Sequence, residues 1–452
     1  MTQNQTADSV GVSRRTVLQA GALAAAVAPA AAWRRSGPDT SAAPGRAGLR
    51  QPGSLPYPRL PAGTDTIPQV EHVVVVMMEN HSYDNHFGML RRRGADGFRI
   101  GRDGRPRAWN PYPDGRIQHA FRMPTTCQLS GRPAQDWLAS HVQYDGGRLD
   151  GFVASASGPV SMGYWQRADL PFYYSLASVF PIADRYFCSL LGQTYPNRRY
   201  LMAATSIGQV DDTLPALTDY PAEGTIFDRL DAHGITWKDY FTNLATPELF
   251  PPLYLKNQGT KIVPIAGFFT DAAAGTLPGF CMVEPEYGRA DEENPQNIAR
   301  GEAFAAQVIN AVMAGPAWDR TLLIWTFDEH GGYYDHVPPP PAVAPDDIAP
   351  RIGPGDQPGG FDRYGMRVPG FVISPFAKKH YVSHVVNSHT SFLALIEKRF
   401  SLPSLTARDA NANDLEDLFD FDSAPSLNAS VGTAPLPQQP PAVTPGDPGC
   451  PF

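Results

Sequence analysis

Cysteine is scarce in this 452-residue chain: Cys127, Cys188, Cys281 and Cys450 are the full set, and no two form a CxxC pair. That spacing excludes a structural zinc site built on cysteines and leaves disulfides and buried free thiols as open alternatives. A long basic run is also missing. Lys plus Arg number 37 against 45 Asp plus Glu, a net charge of -8, so a nucleic-acid partner has no electrostatic support. No GxSxG elbow, P-loop or HExxH helix occurs, which removes a serine hydrolase of that type, a phosphate-cradling NTPase and a zincin. What is present is 42% apolar and 11% aromatic residues, enough for a sizeable core.

The amino-terminal 35 residues read as an export signal. Ser13-Arg14-Arg15-Thr16-Val17-Leu18 precedes an Ala-rich apolar run over 20–32, and Ala30-Ala31-Ala32 supplies small residues for cleavage. The pattern resembles a twin-arginine signal, with the twin-arginine translocase as partner during export and a periplasmic, cell-envelope or secreted destination. The run is too short to span a bilayer comfortably, so no stable transmembrane anchor is expected. Composition then predicts a flexible linker over 36–66, one catalytic domain over 67–433 and a Pro-rich tail over 434–452.

Within that domain, continuous apolar runs over 72–78, 322–327 and 368–373 predict strands covered on both faces. Helical periodicity predicts helices over 172–179, 226–232, 301–313 and 390–400. Their alternation predicts an α/β fold with a largely parallel central sheet and helices on both faces. The Pro- and Gly-dense stretch 337–364 reads as a crossover loop or a lid.

Polar groups gather where such strands end, the edge at which ligands bind in open α/β sheets. Glu79-Asn80-His81-Ser82 follows the first strand, and its carboxylate and amide oxygens suit a hard cation; a helix cap at Asn80 or Ser82 is the plainer alternative. Asp328-Glu329-His330-Gly331-Gly332-Tyr333-Tyr334-Asp335-His336 follows the second. Adjacent carboxylates at a strand end are costly without a cation, and Asp335-His336 has the form of a positioned proton donor. In Gly192-Gln193-Thr194-Tyr195-Pro196-Asn197-Arg198, the Thr194 hydroxyl falls at or near the start of a helix, where anions are favoured.

Together the three segments resemble the bacterial phosphoesterase family of secreted acid phosphatases and non-specific phospholipases C, related in fold to alkaline phosphatase. The likeness covers about residues 70 to 402 and runs through 79–88, Thr194 with Asn197-Arg198, 328–337, the looser 388–391 and 146–152. It implies a divalent metal, whether calcium, magnesium, manganese or zinc, held by Glu79, Asn80, Asp328, Glu329 and Thr194, with Thr194 also the nucleophile. It implies a phosphate-ester substrate, a phospholipid in the phospholipase C case. Substrate contacts are expected from Arg198, Asp335, Gln135 and Asn294, and proton transfer from His336 or His389. Gln135 and Asn294 stand where the family usually has histidines, and Ser388 where it has an acid, so these positions hydrogen-bond but do not titrate near neutrality. An inactive relative that binds phosphate esters is the alternative reading. A sulfatase would need a modified Cys or Ser nucleophile, for which no motif matches. Acyl chains would enter beside Tyr164, Trp165, Phe172 and Tyr173 if those aromatics are not core.

Overall fold

The computed structural model describes residues 48–128 and 131–426; the expected signal, the start of the linker and the Pro-rich tail lie outside them. Eight strands form the central sheet: β1 His72–Met78, β2 Ile182–Ala183, β3 Trp237–Phe241, β4 Ile262–Pro264, β5 Phe280–Val283, β6 Thr321–Phe327, β7 Gly370–Ile373 and β8 Val382–Ser383. Their spatial order is β8-β2-β7-β6-β1-β5-β3-β4. From β6 to β4 every neighbouring pair is parallel, whereas β7 runs antiparallel to both β6 and β2. The sheet is therefore largely parallel, as the sequence predicts.

All seven residues of β1 and all seven of β6 are buried. Successive side chains point to opposite faces, so full burial requires cover on both sides, and β-branched Val73 to Val76 suit such a strand. Val74 lies opposite Leu323 on one neighbour and Cys281 on the other. Side chains of this kind, fully buried, each stabilise the fold by about 1.5–3 kcal/mol. Four helices bear on the site: α1 Tyr83–Phe87, α2 Thr194–Ala203, α3 Ile298–Ala314 and α4 His389–Arg399. The predicted helices over 301–313 and 390–400 thus appear as α3 and α4 with shifted ends.

One expectation changes. Residues 48–66, predicted as flexible linker, are tied to the chain after α4: Arg50 N–H donates to Asn411 Oδ1 at 3.0 Å, Gly53 N–H to Ser404 O at 2.9 Å and Gly63 N–H to Phe400 O at 2.9 Å. Backbone donors that composition leaves without a ladder find carbonyls past a helix end. The stretch 337–364 is a docked loop, with Arg351 N–H on Gly208 O at 2.8 Å and the Trp137 indole on Gln357 O at 2.9 Å. Cys188 and Cys281 are buried free thiols. Among the described residues no helix is long and apolar enough to cross a membrane.

Candidate active site

Because β5, β1 and β6 are adjacent and parallel, the residues that follow them emerge at one edge. Glu79 and Asn80 follow β1, Asp328 and Glu329 follow β6, and Glu284 follows β5. Asn80 sits at φ 74°, a left-handed conformation that Asn tolerates better than most residues. From there its N–H donates to Asp328 Oδ1 at 3.2 Å, while Glu329 N–H donates to the same oxygen at 2.7 Å. Gly331 N–H closes the next turn on Glu329 Oε2 at 2.7 Å. A Cβ at Gly331 would stand 1.9 Å from the Asn80 carbonyl oxygen, and φ there is +64°, so this position takes only glycine. The turns after β1 and β6 are in backbone contact.

Thr194 opens α2, with Gln193 as the preceding cap. Asn197 shapes the approach: its Oδ1 accepts from Ser189 N–H at 2.8 Å and Leu190 N–H at 3.1 Å, and its Nδ2 donates to Gly192 O at 3.0 Å. The Thr194 hydroxyl lies 3.4 Å from Asn80 Oδ1. That amide end also faces Asp328 Oδ1 at 3.1 Å and Glu329 Oε1 at 2.6 Å, contacts that satisfy hydrogen bonding only with the amide nitrogen turned toward them. With the oxygen there instead, Thr194, Asn80, Asp328 and Glu329 converge as oxygen donors. That arrangement fits a hard divalent cation.

Electrostatics supports the same fit. Burial raises the Glu79, Asp328 and Glu329 carboxyls; Asp291 raises Glu79 further and Asp328 raises Glu329 further. Arg198, one turn along α2, opposes this: its Nε donates to Asp328 Oδ2 at 3.0 Å, and it pairs with Glu79 at 3.5 Å and Glu284 at 3.6 Å. Its other donors meet Tyr287 Oη at 2.6 Å and Met78 O at 3.2 Å. Arg198, expected at the substrate, is thus a buried countercharge to the carboxylates. One guanidinium is insufficient for this many acids, which leaves charge for a cation to offset. Glu79 also groups with Asp291 and Glu293, with one ligand atom of each within 4.8 Å of the others. Sequence reading missed Asp291 and Glu293, which sit in a coil without any pattern.

The remaining expected residues divide into other groups. Asp335 and His336 join Asp84 in a second cluster. His336 Nδ1 is 2.6 Å from Asp84 Oδ2, and its Nε2 is 3.2 Å from Asp96 Oδ1. Arg367 bridges Asp335 at 2.8 Å and Asp84 at 3.2 Å. Expected as a substrate contact, Asp335 instead takes Arg367 Nε–H, and its other oxygen accepts Asp84 N–H at 3.2 Å. His389, expected to move protons, is fully buried with Nε2 on Asp328 O at 2.7 Å and Nδ1 facing Tyr186 Oη at 3.3 Å. Burial pushes it down to about 4, so it is a neutral ring that fixes the Asp328 backbone. Asn294 Nδ2 donates to Gly331 O at 3.1 Å, and Gln135 lies half-buried just before Trp137.

Ser82, not Asn80, is the helix cap: it accepts Asn85 N–H at 3.1 Å to begin α1. Ser388 likewise caps α4. Tyr164, Trp165, Phe172 and Tyr173 are all buried, Tyr173 donating to Glu292 Oε1 at 2.6 Å, so they are core and form no acyl entry. Asp212, another residue missed from sequence, accepts Tyr195 N–H at 2.7 Å at the start of α2. Burial lifts its carboxyl to about 7.

The Thr194 hydroxyl at a helix start thus stands against acidic strand ends of a largely parallel α/β sheet, and the chain's family is one of phosphoric-ester hydrolases. The chain belongs to the Phosphoesterase family, whose model matches residues 70–403. It is 31% identical to non-specific phospholipase C1 of Arabidopsis thaliana, over 79% of this chain and 72% of that one. It is also 31% identical to phospholipase C B of Mycobacterium tuberculosis, over 79% of each chain. A solved protein in the alkaline phosphatase superfamily from Vibrio parahaemolyticus aligns over 65% of this chain and 71% of its own, at 11% identity and a TM-score of 0.35.

Two outcomes follow from this geometry. Gly331→Ala forces the Asn80 turn away from Asp328, so divalent-cation affinity measured by calorimetry should fall at least about tenfold even if circular dichroism shows the fold retained. His336 is pulled down by burial but raised overall to about 9 by Asp84. With the folded value above the ordinary 6.5, its contribution is fully present below pH 6.5 and is lost as pH rises through about 9. It amounts to about 3–4 kcal/mol. Urea unfolding from pH 6 to 10 should show that loss in the wild type and a flatter profile in His336→Gln.

Proposed function

We propose that the protein is an exported, divalent-metal-dependent phosphoesterase of phospholipase C type in which Thr194 is the nucleophile. The observation that carries this reading is the Thr194 hydroxyl at the start of α2, 3.4 Å from the end of the Asn80 side-chain amide that also meets Asp328 and Glu329. Glu79, Asn80, Thr194, Asp328 and Glu329 would hold the ion, and their oxygen chemistry favours calcium, magnesium or manganese over zinc. Held there, the ion would supply positive charge that lowers the pKa of the Thr194 hydroxyl and offsets charge on the phosphoryl oxygens.

Thr194 Oγ1, its proton passed to solvent water, forms a bond to phosphorus as the bond to the leaving alcohol breaks, giving phosphothreonine; water then attacks that phosphorus, loses its proton to solvent and releases the reprotonated Thr194 hydroxyl. Arg198 and the His389 ring keep Asp328 in place beside the nucleophile and touch no substrate in this scheme. Asp212, held at the helix start with its carboxyl lifted by burial to about 7, is in this scheme the proton donor to the leaving oxygen. The phospholipase C type is favoured over an acid phosphatase by the names of its relatives at about 30% identity. The twin-arginine pattern supports export, with the translocase as transient partner.

The test is hydrolysis of p-nitrophenyl phosphorylcholine and p-nitrophenyl phosphate by the mature protein. Thr194→Ala should lower turnover at least about 1,000-fold, Thr194→Ser should restore part of it, and chelator should abolish it until metal is returned. A preference for the choline diester supports the phospholipase C type; the reverse preference supports the acid phosphatase. Phosphate binding without turnover in the wild type would establish the inactive relative instead. Asp212→Asn should slow esters of poor leaving alcohols about 100-fold and p-nitrophenyl esters much less, because nitrophenolate leaves without a proton. Equal slowing of both would remove Asp212 from that role.

A further inference from the structure

Beyond the far end of α1 the surface opens into a cleft of about 960 Å³ lined by Arg91, Arg92, Arg93, Arg167, Tyr174 and His380 among otherwise neutral residues. No lining residue is acidic, although the whole chain carries a net charge of -8. The cleft shares no lining residue with the Thr194 site. Arg92 forms its rigid part: Nη1 donates to Ala177 O at 2.6 Å and Phe180 O at 2.7 Å, and Nη2 to Tyr381 O at 2.8 Å. Carbonyls hold that guanidinium without neutralising it. Arg167 lies over the Tyr174 ring at 5.6 Å, a contact that likewise leaves its charge in place. Arg91, Arg93 and Arg167 are exposed, and none of the four arginines has a carboxylate within ion-pair distance among the described residues.

Four cations in one concavity repel one another, and an anion with several acceptor oxygens relieves that repulsion. We propose that this cleft binds a phosphate-bearing anion at a site separate from the Thr194 centre. Its phosphate oxygens meet Arg91, Arg93 and Arg167, with Arg92 behind them as fixed positive charge. The same chemistry is offered by the headgroup of an anionic phospholipid and by free phosphate, and the inference does not depend on Thr194 being a nucleophile.

The experiment compares the full chain with the Arg91→Gln/Arg93→Gln/Arg167→Gln triple variant and with the corresponding Arg→Lys triple variant. One arm measures co-sedimentation with phosphatidylglycerol vesicles and with phosphatidylcholine vesicles. The other measures the number of inorganic phosphate sites by calorimetry. For a lipid headgroup, wild type prefers phosphatidylglycerol, the Gln variant loses that preference by on the order of 100-fold, and the Lys variant keeps most of it. For free phosphate, the Gln variant has one site fewer than wild type, with vesicle binding unchanged. If the Gln variant fails to fold by circular dichroism, raising salt to 0.5 M on wild type reads the same charge dependence. The proposal is overturned if the Gln variant matches wild type in both arms, or if wild type shows neither a preference for phosphatidylglycerol nor any phosphate site.

Discussion

Buried negative charge at the ends of β1 and β6 is the constraint around which the rest is arranged. Glu79, Asp328 and Glu329 are all nearly inaccessible to water, and Asp291 and Glu284 lie close by. Carboxylates removed from water stay ionised only with countercharge or donors. The fold supplies some of both: Arg198 from α2, and backbone N–H groups of Asn80, Glu329 and Gly331 directed at Asp328 and Glu329. Among the described residues it supplies no second buried cation beside Glu329, whose carboxyl is raised by burial and by Asp328; the neighbouring His330 ring, 3.2 Å away, is pushed down by burial to about 3 and stays neutral. A protein that gains nothing from such a site would be more stable with apolar residues there, so the residual strain is itself an argument for a bound cation.

The two acidic turns are held in register twice. Near the sheet, Asn80 N–H meets Asp328 and the Asn80 carbonyl packs on Gly331. Further out, Ser82 Oγ donates to Tyr334 O at 2.7 Å, and His336 N–H donates to Asp84 Oδ2 at 2.9 Å. Arg367 and the His336 ring then neutralise Asp84 and Asp335 within the same cluster. The two segments are therefore joined from Asn80 to Asp84 on one side and from Asp328 to His336 on the other, far more than ligation alone requires. The outer cluster contains no nucleophile and serves as the clamp that keeps the inner one from spreading.

Much of this was legible in the residues. Continuous valines and an apolar run announced β1 and β6, because strands covered on both faces cannot alternate, and the acids after them do gather at one edge of the sheet. β3 was not legible: Lys238 and Asp239 interrupt its apolar pattern, and Asp239 is nonetheless fully buried. β2 and β8, at two residues each, are too short to show a period. Asp212, Asp291 and Glu293 lie in coil, where position is set by tertiary contacts and no local rule applies. The roles of His336 and His389 were hidden for a related reason, since a histidine near a motif looks the same whether its ring nitrogens are free or both engaged.

That distinction decides how the chemistry divides. A ring whose Nε2 is held on the Asp328 carbonyl and whose carboxylate neighbours are offset by Arg198 has no open nitrogen to offer a substrate, and burial keeps it neutral. The groups left to handle protons beside Thr194 are carboxyls rather than imidazoles. Their protonation is coupled to the charge of the whole cluster, so anything that changes that charge also changes which oxygen near Thr194 carries a proton. In the proposed reaction, cation binding and proton transfer are then two aspects of one electrostatic balance. The absence of histidine at Gln135 and Asn294 fits a site in which titration near neutrality belongs to acids displaced upward by burial, such as Asp212 and Glu293, each at about 7.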